Sequence, residues 1–240
     1  MMSEDLQGKA AVVTGGTRGI GRAVTEALLR GKVSVLICGR QQPKVDQAVA
    51  EMRELGHIAG KACDVGRFEE VEALFRAAED AFGRLDILVN NAGVRGFGAI
   101  DQVSPEQWRE VIDTNLNGVF YCSRQAVPLM RNTGGGFIIN IGSLAGKHAF
   151  AGGGAYNASK FGLKGLTEAM MLDLRYDDIR VSTIMPGSVQ TDFGGHGTEG
   201  GEWKIDPAHI ADTVVHLLRM PNRSLASRVE IRPSRPPKKG

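Results

Sequence analysis

The tightest constraint in this sequence is a turn. The apolar run Ala10–Thr14 stops at Thr14-Gly15-Gly16-Thr17-Arg18-Gly19-Ile20-Gly21, and a helical pattern follows through about Arg30. Glycines at such a strand-to-helix junction let the backbone bend sharply and let a bound anion approach main-chain N–H groups. The helix N-terminus adds a favourable dipole. A glycine triplet alone is a weak signal, and a purely structural glycine turn is its plain alternative. On the first turn of a strand–helix–strand unit it points to the pyrophosphate of a dinucleotide.

The rest of the chain repeats that alternation. Short apolar runs at Val33–Cys38, Ile58–Cys63, Leu85–Asn90, Phe137–Ile141, Val181–Met185 and Val229–Ile231 are separated by longer stretches of helical period. Several runs are rich in Val and Ile with little polar alternation, as expected of parallel strands covered on both faces. Val45, Ala48, Val49, Met52 and Leu55 form one helical stripe ahead of Gly56. Val71, Leu74, Phe75, Ala78 and Phe82 form another, closed by Gly83. Ser104-Pro105-Glu106-Gln107 reads as a capping box that opens a long helix, and Asp206-Pro207 opens a later one. The pattern predicts a doubly wound α/β fold of about seven parallel strands with helices on both faces. With no repeat or linker, the 240 residues form one domain. Two segments are irregular: glycine-rich 187–204, which suits a substrate lid, and the proline-rich, basic 232–240, an extended tail.

Composition closes off other functions. Three cysteines without CxxC spacing read as thiols of a reducing compartment, and five histidines without HxxxH or HExxH pairing argue against a metal site. The net charge of +2 gives no general reason to expect nucleic acid or an anionic membrane as partner. The N-terminus is polar, and no apolar run reaches the roughly 18 residues that a membrane span needs. A cytoplasmic location follows. Five cations in 228–239 have no interleaved aromatics, so a solvated or oligomer-packing tail is preferred to a nucleic-acid contact.

Which dinucleotide is expected depends on the end of the second strand. An NAD site has a carboxylate there for the ribose 2′-hydroxyl, and an NADP site has arginine for the 2′-phosphate. Cys38-Gly39-Arg40 carries no acid, and Arg18 in the glycine turn is a second cation aimed at the same place. NADP(H) is therefore expected over NAD(H), the plain alternative being that Arg40 is a solvated loop residue.

Tyr156 and Lys160 lie four apart on one helix face, and Ser143 follows the fifth strand. A Tyr/Lys pair at that spacing means little alone. In combination with the glycine turn, Asp64 after the third strand, Asn90-Asn91-Ala92-Gly93 after the fourth, Asn115, and Pro186-Gly187 with Thr191, the chain resembles the short-chain dehydrogenase/reductase family over nearly its whole length. The resemblance implies a Rossmann-type fold. It implies Tyr156 as general acid and base, Ser143 as the group that orients the substrate oxygen, and Lys160 as the cation that binds the nicotinamide ribose and lowers the tyrosine pKa. Asn115 would hold a relay water. Gly15, Thr17, Arg18, Gly19, Ile20 and Gly21, with Arg40, would meet the phosphates. Asp64, Val65, Asn91, Ala92 and Gly93 would line the adenosine side, and Pro186, Gly187, Val189 and Thr191 the nicotinamide end. Each has a plainer alternative: Asn115 satisfying a kinked helix, Asp64 capping the next helix, Ser143 as a turn residue. Bringing a phenol near pKa 10 to neutral pH takes about 4 kcal/mol, which a nearby ammonium and the oxidised nicotinamide could supply.

Phe97, Leu144, His148, Phe150, Phe193 and Trp203 are candidate substrate contacts, each as readily packing residues, and Arg95 and Lys147 could attract an anion or be solvated charge. The helix bearing Tyr156 is apolar most of the way round, with Phe161, Leu163, Leu166, Met170, Met171, Leu172 and Leu174, which predicts a homodimer or homotetramer. Ketoacyl-carrier-protein reductases end on a strand segment resembling Gly-x-x-x-x-x-Asp-Gly-Gly. This chain departs from that with Ser227-Arg228-Val229-Glu230-Ile231-Arg232-Pro233-Ser234-Arg235-Pro236-Pro237. The expectation is a reductase of small ketones or aldehydes. A 3-oxoacyl thioester reductase is the enzymatic alternative, and a non-catalytic dinucleotide sensor the alternative of another class.

Overall fold

The computed structural model describes residues 5–193 and 201–237. Its strands are β1 (Ala10–Thr14), β2 (Ser34–Gly39), β3 (Ile58–Ala62), β4 (Ile87–Asn90), β5 (Gly136–Ile141), β6 (Ile179–Pro186) and β7 (Arg228–Ile231). Between them run the helices α1 (Gly19–Arg30), α2 (Gln42–Met52), α3 (Phe68–Phe82), α4 (Pro105–Ile112), α5 (Gly118–Asn132), α6 (Gly154–Leu174) and α7 (Pro207–Arg219). All strand pairs are parallel, in the order β3-β2-β1-β4-β5-β6-β7. The sheet is Rossmann-type, as expected, and its strands begin and end within two residues of the apolar runs.

The apolar runs lack polar alternation because successive residues enter two different cores. Ala11 and Val13 of β1, Val35 and Ile37 of β2, and Val89 of β4 pack with α1, α2 and α7 through Val24, Leu28, Val45, Met52, Ile210 and Val214. Val12, Leu36, Leu88 and Ile138 face the other way, onto Leu74 and Phe75 of α3, Cys122 and Met130 of α5 and Leu174 of α6. Each side chain so buried contributes about 1.5–3 kcal/mol relative to exposure. β3 has no fully buried residue and forms one edge of the sheet.

Local signals behave as their chemistry predicts. The Ser104 hydroxyl accepts from the Gln107 N–H at 3.1 Å, Asp206 accepts from the Ala208 N–H at 2.8 Å, and Gly83 ends α3 in the left-handed region at φ 66°. The helix after Ser104 differs from the single long one expected. It is broken at Asp113–Asn117 by a π-helical turn between α4 and α5. The wider turn lets Asn115 bond outside its own helix.

β1 pairs with both β2 and β4. The chain winds outward through β2 and β3, then returns to β4, so the strand order reverses between β1 and β4. The loops after these two strands part there and leave a crevice at their carboxyl ends, where ligands bind in open α/β sheets.

Leu88 is fully buried at the sheet centre. Leu88→Ala is expected to lower the free energy of unfolding by about 2–5 kcal/mol, read as a lower urea midpoint at unchanged slope. A loss below 1 kcal/mol would mean that the core between the sheet, α3 and α5 collapses around the gap.

Candidate active site

The crevice is a continuous cleft of about 1180 Å³ running along the carboxyl edge of the sheet. At one end the glycine turn closes tightly. Gly15 and Gly19 lie in the left-handed region, at φ 64° and 57°, where glycine meets no Cβ penalty. A Cβ on Gly21 would fall 2.2 Å from the Gly15 carbonyl oxygen, so no side chain fits there. Thr14 and Asn91 hold the turn. The Thr14 hydroxyl accepts from the N–H groups of Asn91 and Ala92, both at 3.0 Å. The Asn91 amide donates to the carbonyls of Thr14 (2.9 Å) and Gly15 (3.1 Å). α1 then begins with no side-chain cap and no acid in its first turn, so its leading N–H groups and positive dipole end face the cleft. Cradle, dipole and volume together fit an anionic dinucleotide.

Arg18 and Arg40 both line this end of the cleft. Arg18 pairs with Asp192 at 3.3 Å and Arg40 with Glu110 at 2.9 Å. Both pairs are more than half exposed on the arginine side, so each contributes little and is exchangeable. Cys38 and Cys63 lie beside them, and their mutual hydrogen bond, with burial, holds the Cys63 thiol well above its usual range. Asp64 does not cap α3, whose first turn is preceded by Arg67; its carboxylate accepts from the Gly66 N–H at 3.0 Å. Val65 packs against Gly118, where a Cβ would approach within 2.8 Å.

The other end is built on α6 and the turns after β4 and β5. Ser143 lies beside the Tyr156 phenol and favours its charged form, and its hydroxyl accepts from the Ala145 N–H at 3.1 Å. Lys160, fully enclosed, donates to the Ile141 carbonyl at 3.0 Å with its ammonium 5.8 Å from the centre of the Tyr156 ring. Burial pulls that ammonium down to about 8. The Tyr156 phenol is shifted up, first by burial, against opposing effects of Ser143 and the Arg95 charge. The lowered tyrosine pKa expected from Lys160 is therefore not a property of the chain alone, in which desolvation outweighs the cations.

Asn115 reaches across from the π turn. Its side chain accepts from the Val94 N–H (2.8 Å) and donates to the Val94 carbonyl (3.0 Å) and the Ser159 hydroxyl (3.1 Å). Ser159 in turn donates to the Tyr156 carbonyl at 2.8 Å. Asn157 donates to the Ala145 and His148 carbonyls, at 2.7 and 3.3 Å, and so holds the segment after Ser143 against α6. Thr14, Asn157 and Ser159 escaped attention in the sequence. Their signal was present as polar residues inside the glycine turn and on an otherwise apolar helix.

Pro186, Gly187, Val189 and Thr191 line the same cleft, as do Phe97, Leu144, His148, Phe150, Phe193 and Trp203. Hydrogen bonds from Gln190 to Ile205 (2.8 Å) and from Ile205 to Ser188 (3.0 Å) stitch the two ends of the expected lid together. Its glycine-rich centre, 194–200, lies outside the described residues. Lys147 is not at the cleft; it pairs with Glu230 at 2.8 Å. The tail also differs from expectation. Arg232, Pro233 and Pro236 line the cleft, and the Pro233 ring lies 3.1 Å from where a Gly187 Cβ would be. The reason is topological: β7 runs parallel to its neighbours, so whatever follows it emerges at the carboxyl edge. Residues 238–240 lie outside the described residues. The described helices include none long and apolar enough to cross a membrane.

Residues 9–200 match the sequence profile of the short chain dehydrogenases. A 3alpha-hydroxysteroid dehydrogenase of Mediterraneibacter gnavus is 38% identical over 191 residues, covering 78% of this chain and 76% of its own. A metagenomic short-chain oxidoreductase in complex with NADP superposes with a TM-score of 0.85 at 36% identity, over 96% of this chain and 100% of that one. A variant of actinorhodin polyketide ketoreductase with NADPH superposes with a TM-score of 0.86 at 31% identity, over 97% and 98%.

Lys160 supplies a test that needs no ligand. A base whose folded pKa is depressed is protonated only below that value, so Lys160 is expected to titrate near 8 rather than 10.5. Folding stability should rise with pH across that interval, because the unfolded chain keeps the proton longer. Carbon-detected NMR of the lysine side chains, assigned with Lys160→Met, reads the midpoint directly. A midpoint near 10.5 would show Lys160 to be solvated.

Proposed function

The chain belongs to the short chain dehydrogenase family and is an oxidoreductase, and from that premise we propose that it reduces a ketone or aldehyde to an alcohol with NADPH. The observation that carries the reading is the buried Tyr156 phenol, with Ser143 beside it and the enclosed Lys160 ammonium 5.8 Å from its ring, in a cleft that also holds a phosphate cradle. When bound, the reduced nicotinamide supplies a hydride to the carbonyl carbon. Gly15, Thr17, Gly19, Ile20 and Gly21 receive the pyrophosphate on main-chain N–H groups. Arg18 and Arg40 leave Asp192 and Glu110 for the 2′-phosphate, a dianion that offers each a stronger, charge-assisted partner. Pro186, Gly187, Val189 and Thr191 bound the nicotinamide side, and Asp64, Val65, Asn91, Ala92 and Gly93 the adenosine side.

Tyr156 donates its proton to the substrate oxygen, and Ser143 hydrogen-bonds that oxygen and holds it in place. Burial holds the Tyr156 phenol above its usual range, so the resting chain presents it in the protonated form that reduction uses. Lys160 remains mostly charged at pH 7, stabilises the phenolate left behind, and holds the ribose. Asn115 acts first as a positioning residue, since its side chain is already engaged by Val94 and Ser159, and a relay water would share it.

Reduction of a 3-oxoacyl thioester is the second reading, favoured by the likeness to the polyketide ketoreductase. A dinucleotide sensor without catalysis has less support, since Tyr156 and Lys160 are both present and engaged. The half-exposed Phe120, Phe161 and Leu172 on α5 and α6 support pairing with a second copy of the chain.

Two experiments test the reading. Tyr156→Phe is expected to keep NADPH binding, followed by nicotinamide fluorescence, while turnover of an aryl aldehyde falls by about two orders of magnitude or more. Unimpaired turnover would remove Tyr156 from the chemistry. Arg40→Asp with Arg18→Ser is expected to shift the NADPH:NADH affinity ratio at least tenfold toward NADH, about 1.4 kcal/mol. An unchanged ratio would take both arginines away from the 2′-phosphate.

A further inference from the structure

Arg95, on the turn after β4, is unlike the other arginines at the cleft. Its guanidinium carbon lies 5.6 Å from the centre of the Phe97 ring and 5.2 Å from that of Phe193. Those same two rings contact the Tyr156 ring, at 5.5 and 6.4 Å. Arg18, Arg40 and Arg232 each pair with a carboxylate. Among the described residues none pairs with Arg95, and its Nε is buried with no hydrogen-bond partner. Two aromatic rings against the guanidinium favour a cation there and shield it from water, and it lines the cleft. A buried donor without an acceptor is unfavourable, and a carboxylate is the acceptor whose two oxygens match the guanidinium fork.

The surroundings point the same way. Phe97, which packs edge-on against Phe150, stays 45% exposed, Phe150 45% and Phe193 36%, so these rings give the cleft an apolar mouth around Tyr156. Lys204 adds a second cation at this mouth, 6.0 Å from the ring of Trp203. The 2′-phosphate proposed for Arg18 and Arg40, beside the glycine turn and the end of β2, does not account for Arg95, which follows β4 and lies against rings that touch Tyr156.

We propose that Arg95, packed against Phe97 and Phe193 beside Tyr156, binds a carboxylate carried by the substrate, and that the substrate is an oxo acid with an apolar body. The inference rests on the carbonyl-reductase reading and narrows its substrate class. The carbonyl carbon gains hydride from NADPH, its oxygen gains the Tyr156 proton, and the carboxylate passes through unchanged as the hydroxy acid.

The test compares 4-oxo-4-phenylbutanoate and benzoylformate with their neutral amides, in the wild type, Arg95→Met and Arg95→Lys, with NADPH affinity measured for each as a check of folding. The better acid is expected to exceed its amide at least tenfold in kcat/KM. Arg95→Met should reduce that ratio at least tenfold, chiefly through KM, and Arg95→Lys should restore part of it. Amides turned over as well as acids by the wild type, or a ratio unmoved by Arg95→Met, would overturn the proposal. If no carbonyl compound is reduced, neutral benzaldehyde included, the reductase reading fails. Calorimetry with unreactive 4-phenylbutanoate then decides Arg95 separately. Binding weakened at least tenfold in Arg95→Met supports the carboxylate site, and equal or absent binding in the wild type and the variant overturns it.

Discussion

Every backbone N–H and C=O inside a parallel sheet is spent on its neighbours, and helices cover both faces of this one. Main-chain groups become available to a ligand only where the strands end. All seven strands point the same way, so their carboxyl ends share one edge. The glycine turn, the Asn91 segment, Ser143, Gly187 and Pro233 each follow a different strand, yet all line one cleft. Residues distant in sequence converge because the topology allows them a single place. The same constraint brings the chain's own C-terminal segment there.

A sheet that is apolar on both faces has little to fix how its helices slide over it, and buried polar groups at its centre supply that register. The Asn90 amide donates to Asn140 at 2.9 Å and to Ser123 at 3.3 Å, and Asn140 donates to Thr167 of α6 at 2.9 Å. Thr183 of β6 closes on the Asn140 carbonyl at 3.2 Å. These bonds tie β4, β5 and β6 to α5 and α6. The Val94–Asn115–Ser159–Tyr156 chain then sets the height of α6 against the turn after β4. Each bond adds modestly to stability, but a one-residue slip would leave several polar atoms buried and unpaired. The position of Tyr156 is thus inherited from hydrogen bonds that touch no ligand.

Layers, strand count and cofactor cradle were legible in the sequence because each rests on a local rule: apolar runs for strands, 3.6-residue stripes for helices, glycines where a turn needs them. Ser143, Tyr156 and Lys160 were legible only in combination, through their order along the chain. Less could be read where the cause is tertiary. The π turn at Asn115 depends on Val94, which is 21 residues away. Asn157 and Ser159 look like ordinary helix polars until the segments they hold are seen. The tail reads as solvated or oligomer-packing chain, because composition says nothing of the direction in which β7 runs. The state of Tyr156 in the chain alone was hidden for a related reason: the cations can be counted from the sequence, but the desolvation opposing them cannot.

That desolvation organises the chemistry. Burial acts on Tyr156 and Lys160 in opposite senses, raising the phenol and lowering the ammonium, because it disfavours whichever form is charged. A site meant to hold a standing phenolate would be badly served by it. A site meant to lend a proton benefits, since the phenol stays protonated and the nearby ammonium becomes most valuable once charge develops on the oxygen. Ser143 and the Arg95 charge oppose burial there, favouring the charged form of the phenol. On the proposed reading, the cleft keeps its acid neutral at rest and meets the charge that develops in the reaction with the Ser143 hydroxyl and the Lys160 ammonium, without fixing an ion in advance.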